Sequence, residues 1–361
     1  MKKIGLGLAL VSLLTIPSCS NAIVDYHDHL NEYVERMNTY HDGFTIVQLT
    51  DLHWEIMTDV VGQRQYVQNL IDAIIAKKGP IDLIELTGDQ FMFFDMAVIQ
   101  DFIDFMESLN IPYAVLNGNH DRQGRAHPDW ISNQYRNAEN CLYRQLDNDN
   151  VYGTSNFVIN LYDNESSTDC KWQIVNLDSG ADYADNSFGI GMTYDYIRQD
   201  QADWWKAEHD LVGDDVPVLA FYHIAQYKME EEWNEYEAAG DGFTRKQKFF
   251  KYERFASSTK NTTDYFYNAA VGHGLKGAFV GHAHADDWTV TTSDNVILGL
   301  GVKTGKELYY GKVTKDDAEK VGIDKGFDLI GASVMTLHDG GDFDLDHFYF
   351  DNAGFSEWVR Y

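Results

Sequence analysis

The chain has 361 residues and a mass of 41.2 kDa, with 44% hydrophobic and 14% aromatic residues, enough to bury a core and too apolar to stay unfolded over most of its length. It carries 57 Asp and Glu against 28 Lys and Arg, a formal charge of −29. A nucleic-acid polymer, which needs a basic face to displace counterions, is therefore not an expected partner.

Lys2 and Lys3 precede an apolar run over residues 4–16, shorter than the roughly 20 residues that span a bilayer. This pattern is that of a secretory signal peptide, assigned to residues 1–18. Ile16-Pro17-Ser18-Cys19 resembles a bacterial lipobox, with Pro17 as a departure, and implies a lipid on Cys19 and attachment to a membrane surface. Ordinary cleavage after Ala22 is the alternative, and either route makes the protein exported. Loss of residues 1–18 removes two lysines and no acid, which takes the charge from −29 to −31. Cys141 and Cys170 then remain, as one disulfide or as two buried thiols. Neither lies in a CxxC or Cys/His cluster, which argues against a structural zinc site.

Residues 19–42 are polar and read as an N-terminal arm, followed by one domain over 43–361. A β-rich run at 44–49 opens that domain. A helical stripe of Val67, Leu70, Ile71, Ile74 and Ile75 predicts a helix over 63–78, stopped by Gly79-Pro80. A strand at 81–86, a helix at 96–109 and a strand at 112–116 complete two βαβ units with largely parallel pairing. Further strands are expected at 156–161, 172–177, 216–221 and 276–280, with a helix at 199–210. Beyond Asp286 the chain reads as all-β. Residues 342–350 contain Asp-x-Asp-x-Asp without the glycine of a calcium loop, and are read as a solvated strand face. Residues 229–268 are either a surface excursion near a site or an ordinary long insertion. Gly299-Leu300-Gly301 is only a fragment of a dinucleotide pattern.

The chemistry sits where these strands end. Asp51-Leu52-His53 follows the first, Gly88-Asp89 the second and Gly118-Asn119-His120-Asp121 the third. His223 follows the run at 216–221, and Gly281-His282-Ala283-His284 follows that at 276–280. In α/β sheets, sites form at the carboxyl ends of strands. Asp, Asn and His donors suit Fe, Mn or Zn. Seven such residues are too many for one ion with an open position, and suit two ions sharing a bridging carboxylate. His27, His29, His41, His127, His209, His273, His338 and His347 have no second motif partner and are read as ordinary surface or core residues.

This ordered set, DxH, GD, GNHD, H and GHxH, resembles the calcineurin-like metallophosphoesterases. Leu177-Asp178-Ser179-Gly180 and the stretch 219–224 look like the branch of purple-acid-type phosphatases from plants and fungi. The resemblance implies an α/β sandwich of two mixed β-sheets flanked by helices. It implies that Asp51, His53 and His284 hold one ion, that Asn119, His223 and His282 hold the other, and that Asp89 bridges them. His120 is then the catalytic group beside the pair, and Asn119, His120 and His223 also contact substrate. The implied reaction is hydrolysis of a small phosphate monoester through a hydroxide between the ions. The rivals are a phosphodiesterase for nucleotides or lipid head groups, and a surface binding lipoprotein with little activity. One departure stands out: purple acid phosphatases carry a Tyr three residues after the bridging Asp, and many DxH relatives an Asp or Asn that orients the catalytic histidine. Here the residue is Met92, so no purple colour is expected, and Asp121 or another carboxylate is left to orient His120.

Overall fold

The computed structural model describes residues 33–55, 59–92, 95–122, 128–144, 151–184, 192–254, 257, 263–351 and 353–361. The signal segment, Cys19, most of the arm and His127 lie outside the described residues. In the first half the elements run β1 (Val34–Met37), β2 (Phe44–Leu49), α1 (Val60–Lys78), β3 (Leu83–Thr87), α2 (Met96–Ser108), β4 (Tyr113–Leu116), α3 (Pro128–Asn137), β5 (Phe157–Leu161) and β6 (Trp172–Asn176). A short ribbon, β7 (Asp182–Ala184) and β8 (Met192–Tyr194), follows. Then come α4 (Gln199–Val212), β9 (Val218–Phe221), α5 (Tyr227–Ala239), β10 (Gln247–Lys248), α6 (Tyr265–Ala270) and β11 (Leu275–Val280). The last part comprises β12 (Thr289–Thr291), β13 (Ile297–Leu300), β14 (Gly311–Val313), α7 (Lys315–Glu319), β15 (Phe327–Leu329), β16 (Gly331–Leu337), β17 (Phe343–Phe350) and β18 (Ser356–Arg360).

Local chemistry explains the boundaries. The Asp59 side chain accepts from the Gly62 N–H at 3.0 Å and starts α1 at Val60, three residues ahead of the expected start at 63. Asp95 does the same for α2, accepting from the Ala97 and Val98 N–H groups. All six residues of β2 and all five of β3 are buried, as strands covered on both faces must be.

Two mixed sheets result. One has eight strands in the order β1-β5-β6-β9-β11-β13-β12-β10, the other six in the order β18-β17-β16-β2-β3-β4. Parallel pairing joins β2 to β3 and β3 to β4 in the smaller sheet, and β6 to β9, β9 to β11 and β11 to β13 in the larger. The sheets face each other across one apolar core. The Gln48 amide of β2 crosses it, donating to the Val280 carbonyl of β11 at 3.0 Å, and Phe279 meets Phe343 edge-on at 5.9 Å. The α/β sandwich of two mixed sheets flanked by helices is thus the architecture observed.

Several expectations change in detail. Part of the arm is structure: β1 pairs in parallel with β5 at the edge of the larger sheet, held by the Arg36 guanidinium over the Tyr162 ring. After Asp286 the chain is not wholly β, because Thr314 caps the short helix α7 by accepting from the Asp317 N–H. The acidic face of β17 is not solvated throughout. Asp346 is buried and paired with Lys78 and with Arg360 across the β17–β18 ladder. Cys141 and Cys170 are separate buried thiols, each pushed up to about 12 by burial.

Glu85, in the centre of β3, is fully buried, and neither carboxyl oxygen has a hydrogen-bond partner. Burial raises its pKa well above the usual carboxyl range, opposed only by the facing Asn176 side chain. The folded state therefore keeps a proton that the unfolded chain gives up near pH 4.5, and stability falls as pH rises from there. Glu85→Gln, a neutral isostere, is expected to remove that slope. Between pH 5 and 7 the variant should gain on the parent by up to about 1.4 kcal/mol per pH unit, measured by urea unfolding. Equal slopes in the two proteins would exclude a buried protonated Glu85.

Candidate metal centre

The parallel strands β2, β3 and β4 of one sheet and β9 and β11 of the other end at the same edge of the sandwich. Each delivers its motif there. Asp51, His53, Asp89 and His284 form one group, and Asp89, His223 and His282 a second, each with all ligand-type atoms within 4.8 Å of one another. Asp89 belongs to both. The Asn119 amide oxygen lies 3.1 Å from Nε2 of His223 and joins the second group. The structure thus brings together all seven residues read from the motifs, with His120 beside them.

The backbone at these strand ends is unusual. Eight non-glycine residues have positive φ among the described residues, and four are Asp51, His53, Asp89 and His282, at 53°, 48°, 52° and 71°. Such conformations cost of order 1–2 kcal/mol each for residues with a side chain. Cross-links between the turns hold them: the Asp51 N–H donates to the Gly88 carbonyl at 3.1 Å, and the His53 N–H to the Asp89 carbonyl at 3.0 Å. The motif glycines are spacers. A Cβ on Gly88, itself at φ 94°, would strike the His223 ring, and one on Gly118 would strike the Asp89 carboxylate.

The donor set fits a cation. The Asp51 Oδ1, Asp89 Oδ2, His53 Nδ1, His282 Nε2 and His284 Nδ1 atoms are all buried without hydrogen-bond partners. His53 Nε2 and His284 Nε2 face each other at 3.0 Å, where at most one proton fits between two lone pairs. His223 donates from Nδ1 to the Thr87 carbonyl at 2.8 Å, which aims Nε2 at Asp89 Oδ2, 3.2 Å away. Burial pulls the His53 imidazole well down and the His282 imidazole down to about 3, favouring the neutral, ligating form. His223 goes the other way. Burial lowers its pKa, but the Asp89 charge outweighs burial and lifts it to about 9, so a bound cation must displace its proton. The Asp89 carboxyl, despite burial, is held well below the usual range by His223.

His120 is set apart. Its side chain is 24% exposed, and Nε2 stands 4.0 Å from Asp89 Oδ2. Its main-chain N–H donates to Asp89 Oδ1 at 2.8 Å. Asp121 does not serve it. That carboxylate accepts from the Asp89, Gly118 and Phe91 N–H groups at 2.8, 2.7 and 2.9 Å and staples the β3 turn to the β4 turn. Burial first, and the nearby Asp89 charge second, raise it to about 7.

Some contributors carried no motif. Lys303 is 1% exposed and donates from Nζ to the Asp51 carbonyl at 2.5 Å. Burial brings its ammonium down to about 8, opposed by the Asp51 charge. Thr304 alongside it accepts at its hydroxyl from the Thr50 N–H. Both follow β13, the next parallel strand after β11, so a strand end was the available signal. The Gly299-Leu300-Gly301 fragment belongs to that strand and its exit, with Gly301 packed on the Gln48 side chain. Among the other histidines, His209 stacks on Trp205 and His347 lies against Asp287, both away from the centre.

A family model for calcineurin-like phosphoesterases matches residues 44–286, more than half of the chain. The chain belongs to that family of metallophosphoesterases. No curated protein matches it. Among solved structures, one is similar at 12% identity over 85% of this chain and 100% of its own, with a TM-score of 0.40. A point mutant of a cold-active protein tyrosine phosphatase is similar at 13% identity over 91% of this chain and 83% of its own, with a TM-score of 0.31.

Asp121 offers a test of the staple. Asp121→Asn replaces one acceptor oxygen with a donor that faces backbone N–H groups. Metal affinity, measured by competition with a chelator, is expected to fall about 10–100-fold while circular dichroism stays native. Unchanged affinity would mean that the β3 turn holds its shape without the carboxylate.

Proposed function

We propose that this chain is a dimetal phosphoesterase that hydrolyses small phosphate monoesters. The observation that carries the reading is the Asp89 carboxylate shared by two buried ligand groups. Asp51, His53 and His284 with Asp89, and Asn119, His223 and His282 with Asp89, would each hold one ion, of Mn, Fe or Zn. Bound there, the pair supplies positive charge to phosphoryl oxygens and acidity to water. The chain's own residues do the rest. The Asn119 amide and His223 present polar edges to the phosphate. His120, partly open to solvent beside Asp89, is placed to give a proton to the departing ester oxygen. Lys303 fixes one further positive charge behind Asp51. Kinship with the purple-acid-type branch is part of this proposal. Its two quoted stretches lie against each other, the Ile224 N–H donating to the Ser179 hydroxyl at 2.9 Å. With Met92 in place of the chromophoric tyrosine, the iron form is expected to lack the purple colour.

The test is reconstitution of metal-free protein with Mn, Zn and Fe, followed by a screen of monoesters and diesters. About two equivalents are expected to restore monoester hydrolysis. Asp89→Asn should be the most damaging ligand change, because that carboxylate serves both groups. His120→Asn should keep both ions and lose ~10²–10⁴ in rate on an alkyl phosphate, and less on nitrophenyl phosphate, whose phenolate leaves unaided. Full activity with one ion per chain would sink the dimetal reading. Faster diester turnover would replace the substrate, and loss of metal from His120→Asn would make that residue a ligand.

We propose further that the protein is exported and anchored by lipid on Cys19, from the Lys2-Lys3, apolar run and Cys19 pattern. Intact-mass analysis of membrane-bound protein is expected to find a diacylglyceryl adduct on an N-terminal Cys19. A mature form that begins at Ile23 would exclude the lipid.

A further inference from the structure

The segment from Lys303 to Tyr310 lies beyond residues 44–286, the part of the chain shared with the family. It nevertheless belongs to the metal centre. Lys303 and Thr304 bind the main chain of Asp51 and Thr50, and a Cβ on Gly305 would collide with the carbonyls of Asp51 and Leu52. From that anchored base the segment rises to Leu308 and Tyr309, two apolar side chains that face water, 47% and 55% exposed. Leu308 holds φ at 60°, a conformation that costs a branched side chain energy and leaves it about half exposed. Tyr309 sets its ring 4.7 Å from that of His284, tilted by 44°. Its hydroxyl lies near Glu253, whose Oε1 accepts from the Ala285 N–H at 3.1 Å. The ring thus lies against the segment that carries His282 and His284. On the other side, the Tyr194 ring stands edge-on to His282, 4.2 Å away.

Two tyrosines therefore flank the two histidines that close the metal centre, one for each ligand group. An exposed aromatic has no packing reason to stand on a strained turn, and here it stands against a ligand. A flat ring laid on Tyr309, with Leu308 beside it, would bury the exposed apolar surface. Charge narrows the occupant further. Glu253 and Glu307 border Tyr309 and Leu308, so a moiety bearing additional phosphates is repelled and a neutral ring is accepted. We propose that Leu308 and Tyr309, with Tyr194 opposite, form a specificity site for the alcohol part of the substrate, and that this part is a neutral aryl or similarly flat group carried close to the ester oxygen. The inference rests on the phosphoesterase reading above for the position of the phosphate.

The experiment reads binding and turnover separately. Manganese-loaded full chain is titrated calorimetrically with naphthylmethylphosphonate and with methylphosphonate, and kcat and KM are measured for naphthylmethyl and propyl phosphate, both of which release an alkoxide. The parent is expected to prefer the aryl compound in both assays. Tyr309→Ala should lower the aryl-to-alkyl preference about tenfold, chiefly through Kd and KM, with native metal content. Tyr309→Phe, which keeps the ring, should retain the preference, and Leu308→Gly should reduce it. Equal losses on aryl and alkyl probes, or no parent preference, would overturn the specificity site and leave the phosphoesterase reading standing. Tyr309-dependent binding of the aryl phosphonate without turnover would uphold the site while the hydrolytic reading fails.

Discussion

The Asp89 carboxylate is the constraint around which the rest of the centre is arranged. It is buried, one oxygen accepts from the His120 main chain, and the other faces His223 and has no hydrogen bond. A buried anion with an open lone pair is costly unless a cation meets it. Here both ligand groups converge on it, so the histidines of each meet at a single negative charge. The left-handed turns follow from that demand. A strand that simply continued would send Asp51 and Asp89 to opposite faces or out to water. A tight turn directly after β2 and after β3 folds each carboxylate back over its strand end. The backbone pays for it in strain, and the interlocking hydrogen bonds from Asp51 to Gly88 and from His53 to Asp89 hold the two turns as one unit.

Much of this was legible in the sequence because the family chemistry is local. Asp51, Asp89, Asn119, His223 and His282 each lie within a few residues of the end of an apolar run, and the strands end where those runs end. The βαβ pattern placed β2, β3 and β4 side by side for the same reason. What escaped is what tertiary contact alone decides. Lys303 belongs to no motif, and only the parallel pairing of β13 with β11 brings its ammonium under Asp51. Asp121 reads as a partner for its neighbour His120, yet three backbone N–H groups outcompete the imidazole for its two oxygens. The β1 strand escaped because its alternation is short and its partner, β5, lies more than a hundred residues on.

The charge of the chain has a local counterweight. A protein with 57 acids and 28 bases repels anionic substrates at long range, although salt screens that repulsion beyond about a Debye length. At short range the sign reverses. Lys303 is fully enclosed, and the carboxylates Asp51 and Asp89 lie in buried groups that could hold a metal ion. A cation held there would add to the Lys303 charge and set a local positive potential within an acidic chain. Such a field would favour one phosphoryl group at the centre over an extended polyanion around it, in keeping with the small monoester proposed above.

The same division separates what is shared from what is particular. Residues 44–286, the part that matches the family model, supply the buried Asp, Asn and His groups of the centre. The stretch that follows is bound to the metal-bearing turn only at its base, through Lys303, Thr304 and Gly305. Its tip contacts the centre through one ring, Tyr309 on His284, and otherwise faces water. A rigid base with an exposed tip leaves Leu308 outside the metal-ligating groups, while Tyr309 meets them only through its ring on His284. Discrimination between alcohols requires contact outside the phosphate, and Leu308 and Tyr309 supply apolar surface there without touching the reacting atoms.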